Sequence, residues 1–582
     1  MSLFRSRGPP FIPPPDNVTI PQFILDDVGA HFTRLVRPVE CPCFIDEESG
    51  RAIYLAELRQ RSRHLADVVK GRWDISPGDV VSIYTPNHVD YGVIAWAVHH
   101  LGGILATHSP DLTTEELVYQ LQIATPVLLI AHPGNLATAL RAMQKVQISR
   151  ERLVILGGHE APDSRFSSLE DLFASHAMYR PHVEHMFKAG EARSAIAFLC
   201  FSSGTTGKPK AVAVSHYNVI CNVVQVATFN RIHEDYAPAE KRRFRVGDIV
   251  AGVLPLYHIF GLVINLHLTL YGAMTVVMAK QFNYENLLKS IQRYRITHLN
   301  IVPPQAVLFC KHPLTKQYDL SSVRYCVVAG APMSGELAGQ LIQVFPGVQL
   351  GQGWGMTETC ATGTMASTLT PSPQFPIEQW VGTPGSCGQL VSGTVAKIVK
   401  VDGTLAGVEE PGELWIQGPQ VVLGYYRNDD ATKETFIDGW IRTGDEALFK
   451  DNGDMYMTGR IKELIKVKGY QVSPSELEGY LLNHPDVADA AVIGVPDDYA
   501  GEVPLAYIVL KPQVAAAVKK DAELAKDERA KLYKHVSSIA SRYKWLDGGV
   551  VFIDAVPKSA SGKILKRVLI EQSKQLPPRA RL

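Results

Sequence analysis

Phe201-Ser-Ser-Gly-Thr-Thr-Gly-Lys-Pro-Lys210 is the segment that says most about the fold and chemistry of this sequence. It places two serines, two threonines, two glycines and two lysines directly after the apolar run of residues 195–200. Glycines let backbone N–H groups turn toward an anion, while hydroxyl groups add donors and lysines add positive charge. The segment is therefore predicted to be a phosphate-binding loop after a buried strand. A flexible surface loop is the alternative, which the density of donors disfavours.

The loop is not of the Walker A type. The pattern Gly-x4-Gly-Lys-Ser/Thr would need a glycine in place of Ser202 and a hydroxyl in place of Pro209. A P-loop phosphotransferase is therefore disfavoured.

Outward from this loop, residues 45–400 alternate between short apolar runs and amphipathic segments. Strands separated by helices predict βαβ units and largely parallel sheets. The predicted strands include VVSIY (80–84), PVLLIAH (126–132) and VRYCVVAG (323–330), with a helix over Gly92–Leu101.

The composition and the pattern of apolar residues change twice further along the chain. Residues 375–459 become rich in Gly, Pro and short strands such as GELWIQG (412–418), which predicts a β-rich subdomain. From Arg460 onward, helices from Ser473 and over 521–545 alternate with strands over 490–495, 505–510 and 550–554. The prediction is an α/β fold with a large N-terminal domain (1–459) of mainly parallel sheets and a small α+β C-terminal domain (460–582).

Composition and charge disfavour some classes of function. The 582 residues carry 58 Lys+Arg and 58 Asp+Glu, and this neutral balance argues against a nucleic-acid binder. Residues 460–582 nevertheless hold 20 Lys and Arg against 15 Asp and Glu, which suits a lid over polyanions. Eight cysteines without zinc-ligand spacing predict free thiols.

Two segments of the sequence bear on membrane insertion and on targeting. Residues 249–279 lack charged side chains, yet Pro255, Gly261 and Asn265 interrupt the run, so a buried strand, loop and helix are favoured over a membrane span. The last three residues, Ala580-Arg581-Leu582, resemble the peroxisomal import tripeptide. Peroxisomal localisation and contact with an import receptor are therefore expected, and a cytoplasmic protein with an irrelevant tail is the alternative.

The loop resembles the phosphate-binding motif of the adenylate-forming superfamily, which contains acyl- and aryl-CoA synthetases, luciferase and peptide-synthetase adenylation domains. Further motifs follow in the family's order: Leu254-Pro-Leu-Tyr-His258, Gln352-Gly-Trp-Gly-Met-Thr-Glu358, Thr443-Gly-Asp445, Gly459-Arg460-Ile-Lys462-Glu-Leu-Ile-Lys466 and Ser561-Gly-Lys563. The sequence is most similar to the 4-coumarate–CoA ligase-like branch. The resemblance implies that a carboxylate attacks ATP to give an acyl-adenylate, from which coenzyme A displaces AMP.

The resemblance assigns the nucleotide site residue by residue. Lys208 and the loop would bind the β- and γ-phosphates, Thr357 the α-phosphate, and Glu358 would hold Mg²⁺. Trp354 would offer a flat face to adenine, while Asp445 would accept both ribose hydroxyls. The implied ATP- and AMP-binding residues are Ser202, Ser203, Gly204, Thr205, Thr206, Gly207, Gly330, Ala331, Pro332, Gln352, Gly353, Trp354, Gly355, Met356, Thr357, Asp445, Arg460, Lys462 and Gln471.

Lysines of the C-terminal domain are implied in both steps. Lys563 would bridge the attacking carboxylate and the α-phosphate. Lys466 would act when the small domain turns for the second step, and Lys468 with Gly469 would border the channel for coenzyme A. Gly459 replaces the aspartate that many relatives have before Arg460, so the hinge is expected to differ in stiffness.

The acid is expected to be hydrophobic. His258 matches the family histidine beside the reacting carboxylate. Phe260 and Ile264 occupy the positions where 4-coumarate ligases have a tyrosine and a serine. The other residues expected around the acid offer no side-chain partner for a substrate hydroxyl; they are Val302, Gly353 and Leu308. An aryl-alkanoic, cinnamate-like or medium-chain fatty acid fits this pocket. The alternatives are a luciferase-like or acyl-AMP-forming enzyme without the coenzyme A step, and a nucleotide-binding relative without turnover.

Overall fold

The fold was analysed in a computed structural model that describes residues 2–29, 31–157, 166–202, 209–366, 383–468, 470–497, 499–559 and 562–576. These residues form four sheets. Two of them are mainly parallel, and two are mainly antiparallel. The α/β class predicted from the sequence is confirmed.

The first sheet has eight strands, of which the inner ones run parallel. In spatial order they are Gly424–Tyr425, Lys210–Ser215, Ile196–Ser202, Ile104–His108, Val80–Tyr84, Leu128–Ala131, Leu153–Ile155 and Ser167–Ser168. Its central strands are buried almost throughout, as the apolar runs of the sequence predict.

The second sheet has nine strands and provides most of the functional site. In spatial order they are Gln389–Leu390, Thr364–Met365, Gln349–Trp354, Tyr325–Val328, His298–Ile301, Ile249–Gly252, Thr275–Met278, Phe44–Asp46 and Ala52–Ile53. The five strands between Gln349–Trp354 and Thr275–Met278 run parallel, so their carboxyl ends meet at one edge.

The third and fourth sheets correspond to the β-rich and C-terminal parts. The third contains Phe4–Arg5, Val395–Val399, Gly412–Gln417, Trp440–Phe449, Phe436–Ile437 and Met455–Arg460. The fourth contains Tyr470–Val472, Ile465–Val467, Gly501–Leu510, Val487–Asp497 and Gly549–Phe552. Arg460, where the predicted C-terminal domain begins, is the last residue of the strand Met455–Arg460 in the third sheet, and the next strand along the chain, Ile465–Val467, belongs to the fourth.

Helices cover the sheets, and local sequence starts many of them. Thr113 accepts a hydrogen bond from the Glu116 N–H while the Glu116 carboxylate accepts from the Thr113 N–H, a reciprocal cap that fixes the helix start. The α-helices are Ile20–Ile24, Leu55–Trp73, Tyr91–His100, Thr114–Ala124, Leu136–Lys145, Leu169–Ser175, His216–Phe229, Thr269–Tyr271, Tyr284–Tyr294, Pro303–Lys311, Gly335–Val344, Asp429–Thr435, Pro474–Leu482, Pro512–Val518, Ala522–Ile539 and Lys566–Lys574.

The largest core lies between the first two sheets. Helix His216–Phe229 is buried along its whole length there, and Trp96, Phe198 and Tyr271 pack into the same cluster. The polar side chains of this helix are buried too, and Asn218, Asn222 and Gln225 form hydrogen bonds inside the core.

The apolar run 249–279 folds as a strand, a π-helical segment (Gly261–Leu268) and a second strand inside this core. Within the described part of the chain, no helix combines the length and apolarity that crossing a membrane requires.

Candidate functional site

The functional site is a cavity of about 800 Å³ at the carboxyl ends of the central strands of the second sheet. The segments that follow strands Ile249–Gly252, His298–Ile301 and Tyr325–Val328 line it. Ligands bind at this edge in open α/β sheets because the strand ends and their loops form a crevice there. The volume is within the range of small-molecule sites in proteins.

His258 lies on the apolar side of the cavity, in a turn that Asn87 holds. The side chain of Asn87 forms hydrogen bonds with backbone groups of residues 254 and 256, at 3.0 and 2.8 Å. His258 Nδ1 accepts from the N–H of Phe260 at 3.2 Å, so the neutral ring carries its proton on Nε2. Burial, together with the positive charge of Lys563, lowers the pKa of His258 to about 4. His258 is therefore neutral at physiological pH.

Two glycines allow the backbone to pass close to itself beside the cavity. A Cβ on Gly261 would lie 2.2 Å from the carbonyl oxygen of Pro255, and a Cβ on Gly355 would lie 1.5 Å from the carbonyl oxygen of Ala361. No other residue fits either position without moving the backbone. These glycines fix the turn that carries His258 and the segment that carries Trp354.

On the opposite side, the buried carboxylate of Asp445 contacts the partly buried side chains of Trp354 and Arg460. Trp354 Nε1 donates to Asp445 Oδ2 at 2.9 Å, and Arg460 Nε lies 3.3 Å from Asp445 Oδ1. Asp445 and Arg460 are direct partners across antiparallel strands, which brings the two charges together. Burial raises the pKa of Asp445, and the Arg460 guanidinium and the Trp354 N–H limit that increase.

Lys563 reaches the same cavity from the C-terminal part of the chain. Its backbone N–H donates to Ser559 Oγ at 3.2 Å, and its carbonyl accepts from the Ser559 N–H at 2.8 Å. Burial lowers the pKa of Lys563 to about 8, and the Arg460 charge acts in the same direction, opposed by nearby carboxylates. A Cβ on the adjacent Gly562 would lie 2.9 Å from Val302, so this turn is seated against the cavity wall.

Glu358 supplies a carboxylate to the cavity. The residue is 6% exposed, and its Oε1 accepts from the hydroxyl of Tyr425 at 2.9 Å. The ammonium of Lys210 lies 4.5 Å from the centre of the Tyr425 ring. Lys210 and Ser202 are cross-strand partners, and both line the cavity. The two residues that flank the predicted phosphate loop therefore lie at the wall of the cavity.

The described lining of the cavity carries an excess of positive charge. Seven basic side chains face it against four acidic ones. The basic residues are Lys210, Lys280, Arg442, Arg460, Lys462, Lys558 and Lys563, and the acidic ones are Asp111, Glu358, Glu413 and Glu434. An excess of positive charge in a cleft favours a polyanionic ligand.

Most of the predicted site residues lie together. The predicted residues that line the cavity are Ser202, His258, Phe260, Val302, Gly330, Gly353, Trp354, Gly355, Met356, Thr357, Glu358, Arg460, Lys462 and Lys563, with Leu308 beside them. Asp445 lies directly behind Trp354.

Other predicted residues lie elsewhere. Ala331, Pro332 and Gln352 line a neighbouring cavity of about 600 Å³, which shares Lys558 and Gly562 with the first. Ile264, in the π-helical segment, is 3% exposed and packs in the core, and it is not among the residues that line the cavity. Lys466 and Lys468 are exposed on the fourth sheet, and their predicted roles remain predictions.

Some predicted residues fall outside the description. Outside the described residues lie Ser203, Gly204, Thr205, Thr206, Gly207 and Lys208 of the loop, together with Gly469 and the terminal Ala580-Arg581-Leu582. The side chain of Gln471 also lies outside the description.

The structure adds residues that sequence reasoning missed. Lys210 lies within the segment 201–210 quoted above, so its position in the motif could have identified it. Asn87, Lys280 and Tyr425 come from distant segments without a motif of their own, and only the fold brings them to the cavity.

Comparison with known proteins agrees with this geometry. The model of the AMP-binding enzyme family matches residues 34–426, and the model of the AMP-binding enzyme C-terminal domain matches residues 476–563. The chain therefore belongs to the AMP-binding enzyme family, and the adenylate-forming resemblance predicted from the motifs is confirmed.

Curated relatives match nearly the whole chain. Acyl-CoA ligase easD of Emericella nidulans is 33% identical, covering 95% of this chain and 96% of the relative. Peroxisomal OPC-8:0-CoA ligase 1 of Arabidopsis thaliana is 31% identical, covering 98% and 96%. Among solved structures, ATP-bound MatB from Rhodopseudomonas palustris superposes with a TM-score of 0.78 at 25% identity, covering 96% of this chain and 99% of that one.

The position of Lys563 yields a prediction about its titration. In the ligand-free protein, a ¹³C-dimethyl-lysine NMR signal that is absent from Lys563→Arg should titrate near pH 8. Arg460→Gln should raise that pKa, because it removes a neighbouring positive charge and leaves the Asp445 carboxylate unpaired. A signal that titrates near the ordinary lysine value in both proteins would contradict the buried, charge-coupled position of Lys563.

Proposed function

We propose that this protein is an ATP-dependent ligase that activates a hydrophobic carboxylic acid as its acyl-adenylate and transfers the acyl group to coenzyme A. The observation that carries the proposal is the convergence of Lys563, Arg460 and Glu358 on a cavity whose other side is apolar around His258. Relatives named as acyl-CoA ligases and 4-coumarate–CoA ligases support it.

In the first step, a carboxylate oxygen of the acid attacks the α-phosphorus of ATP. The new bond joins that oxygen to phosphorus, the bond to the bridging oxygen breaks, and pyrophosphate leaves. The substrate supplies the nucleophile, so the protein contributes positioning and neutralisation of charge. Lys563 is proposed to bridge the carboxylate and the α-phosphate, with Thr357 beside it. Lys208 and the loop of residues 202–207 would hold the β- and γ-phosphates.

The nucleoside is proposed to lie against Trp354. Adenine would lie between this segment and residues 330–332, while Asp445 would accept the ribose hydroxyls. The Asp445 carboxylate has lone pairs beyond those used by Trp354 and Arg460, so both interactions can persist. Gln352, Gly353, Gly355 and Met356 would shape the backbone around the base.

Mg²⁺ is proposed to bind at Glu358. A single buried carboxylate facing a phosphate site fits a hard cation that takes its other ligands from phosphates and water. When bound, the ion would neutralise phosphate charge. The Tyr425 hydroxyl orients the Glu358 carboxylate through its hydrogen bond.

The second step is proposed to need a different orientation of residues 460–582. Lys563 occupies the cavity in this structure, whereas Lys466 and Lys468 are exposed on the fourth sheet. A rotation about Arg460 and Lys462 would exchange them and bring Gly469 and Gln471 to the site. The thiol of coenzyme A would then attack the acyl carbon, and AMP would leave. The neutral His258 would orient the acid and border the path of the thiol.

The acid is proposed to be aryl-alkanoic, cinnamate-like or a medium-chain fatty acid. Phe260, Val302 and Leu308 line that side of the cavity with apolar atoms, and Gly353 leaves room for a chain or ring. A hydroxyl placed among such groups without a partner costs about 1–3 kcal/mol.

A panel of carboxylic acids tests the function. Pyrophosphate release should depend on a hydrophobic acid, and a thioester should form when coenzyme A is added. A ring hydroxyl should lower kcat/KM about 5- to 150-fold relative to the matched acid without it. Release of AMP and pyrophosphate with no thioester would overturn the ligase proposal in favour of an acyl-AMP-forming enzyme. The absence of turnover with every acid would favour a nucleotide-binding relative.

The role of Lys563 is tested by separating the two steps. Lys563→Ala should reduce acid-dependent pyrophosphate release about 10²- to 10³-fold, since it removes a charge that acts on the transition state. It should still convert added acyl-adenylate to thioester. Lys574→Ala, which removes an exposed lysine of the same C-terminal segment, serves as the control and should leave both steps unchanged. Normal adenylation by Lys563→Ala would show that the lysine is wrongly assigned.

Peroxisomal localisation is proposed from the terminal Ala580-Arg581-Leu582, with an import receptor as the partner. A relative named as peroxisomal supports it. A fluorescent fusion that leaves these three residues at the free C-terminus should accumulate in peroxisomes, and the same fusion without them should not. Equal distribution of the two fusions would contradict the proposal.

A further inference from the structure

A cluster of histidines and carboxylates lies away from the cavity, among residues to which the proposed reaction gives no role. His100 ends helix Tyr91–His100, and His182 and Glu184 belong to the irregular segment that follows residue 178. One ligand-type atom from each of the three lies within 4.8 Å of the others.

The protonation pattern of His100 leaves a lone pair facing a carboxylate. The single proton of Ser62 Oγ is donated to the carbonyl of Arg59, at 3.1 Å. In one tautomer of His100, Ser62 Oγ accepts from Nε2–H at 3.3 Å. In the neutral ring, Nδ1 then carries no proton, yet it lies 2.7 Å from Glu184 Oε1. Two acceptors at this distance repel each other unless a proton or a metal ion lies between them.

His182 shows the complementary feature. Its Nδ1 lies 2.7 Å from Asp67 Oδ1, which holds the proton on that nitrogen. Its Nε2 is buried without a hydrogen-bond partner and lies 3.7 Å from Glu184 Oε2. The side chain is 6% exposed. A buried imidazole nitrogen with a free lone pair, aimed at a carboxylate, is the arrangement of an unfilled metal ligand.

The outer contacts match those of metal-binding histidines. Such histidines commonly donate their second nitrogen to a carboxylate, which fixes the tautomer and strengthens the ligand, and Asp67 does this for His182. The Gln22 amide donates to Glu184 Oε1 at 3.3 Å.

We propose that His100 Nδ1, His182 Nε2 and the Glu184 carboxylate bind one divalent transition-metal ion of the zinc type. Two imidazoles and a carboxylate suit Zn²⁺, whose bonds of about 2.0–2.2 Å place tetrahedral ligands roughly 3.4 Å apart. The present separations lie on either side of that value: 2.7 Å from His100 Nδ1 to Glu184 Oε1 and 3.7 Å from His182 Nε2 to Glu184 Oε2. The C-terminal end of helix Tyr91–His100 adds a favourable negative potential.

The ion would fasten the segment around His182 to two helices. Backbone hydrogen bonds already join this segment to His100 and Asp67: the N–H of His185 donates to the His100 carbonyl at 2.8 Å, and the N–H of His182 to Asp67 at 2.7 Å. The metal is therefore structural in this proposal, and the reaction at the distant cavity does not pass through it.

Metal binding by the untagged, full-length protein tests the site. After chelation and dialysis, the wild-type protein should bind one equivalent of Zn²⁺ in isothermal titration calorimetry and raise its midpoint of thermal unfolding. Co²⁺ should give the visible absorption of a low-symmetry site. His182→Asn and Glu184→Gln should abolish Zn²⁺ binding, the thermal shift and the Co²⁺ absorption. Asp67→Asn should weaken Zn²⁺ binding about 10- to 100-fold while leaving the stoichiometry unchanged.

His484→Asn is the matched control. His484, Asp486 and Glu528 form another described cluster, but the ammonium of Lys531 already lies 3.0 Å from Glu528. This variant should bind Zn²⁺ as the wild type does. Failure of the wild-type protein to bind Zn²⁺ would show that His100 is simply protonated and would overturn the proposal. Binding that survives His182→Asn and Glu184→Gln but is lost in His484→Asn would overturn it as well.

Discussion

A carboxylate taken out of water must be paired with positive charge or with hydrogen-bond donors, and Asp445 is the point where this requirement organises the structure. Its partners come from different sheets: Trp354 from the end of a parallel strand, and Arg460 from the neighbouring antiparallel strand. Lys563 adds a third charge from the C-terminal part. The site therefore assembles only when these parts of the chain are folded together.

The same constraint shapes the chemistry of the cavity. Arg460 stabilises the Asp445 carboxylate but repels Lys563. Burial, with this repulsion, lowers the pKa of Lys563 to about 8, so the ammonium still predominates at neutral pH. On the apolar side, burial keeps His258 neutral. The cavity thus has a cationic side opposite an uncharged one. This arrangement suits the proposed reaction between ATP, a polyanion, and a hydrophobic acid. The close backbone approaches at Gly261 and Gly355 hold both sides in place.

Local sequence patterns predicted many of the elements and a group of the cavity residues, because the motifs at residues 254–258 and 352–358 lie at the carboxyl ends of parallel strands of the second sheet. Runs such as VVSIY and GELWIQG fold as strands over Val80–Tyr84 and Gly412–Gln417. Contacts between distant residues had no local signal. Phe4–Arg5 pairs with residues 395–396, and Tyr425 orients Glu358, only because the tertiary fold brings them together. The helix predicted over 521–545 ends at Ile539, before a short turn at Arg542–Lys544.

The central claim is that the carboxylate of the acid attacks the α-phosphorus of ATP within this cavity. The most direct measurement is mass spectrometry of the nucleotide product after turnover with an acid labelled with ¹⁸O in its carboxylate. The account predicts that AMP carries one ¹⁸O atom, because the bond broken by coenzyme A leaves the acid's oxygen on phosphorus. Unlabelled AMP, or ADP and phosphate as the products, would contradict it.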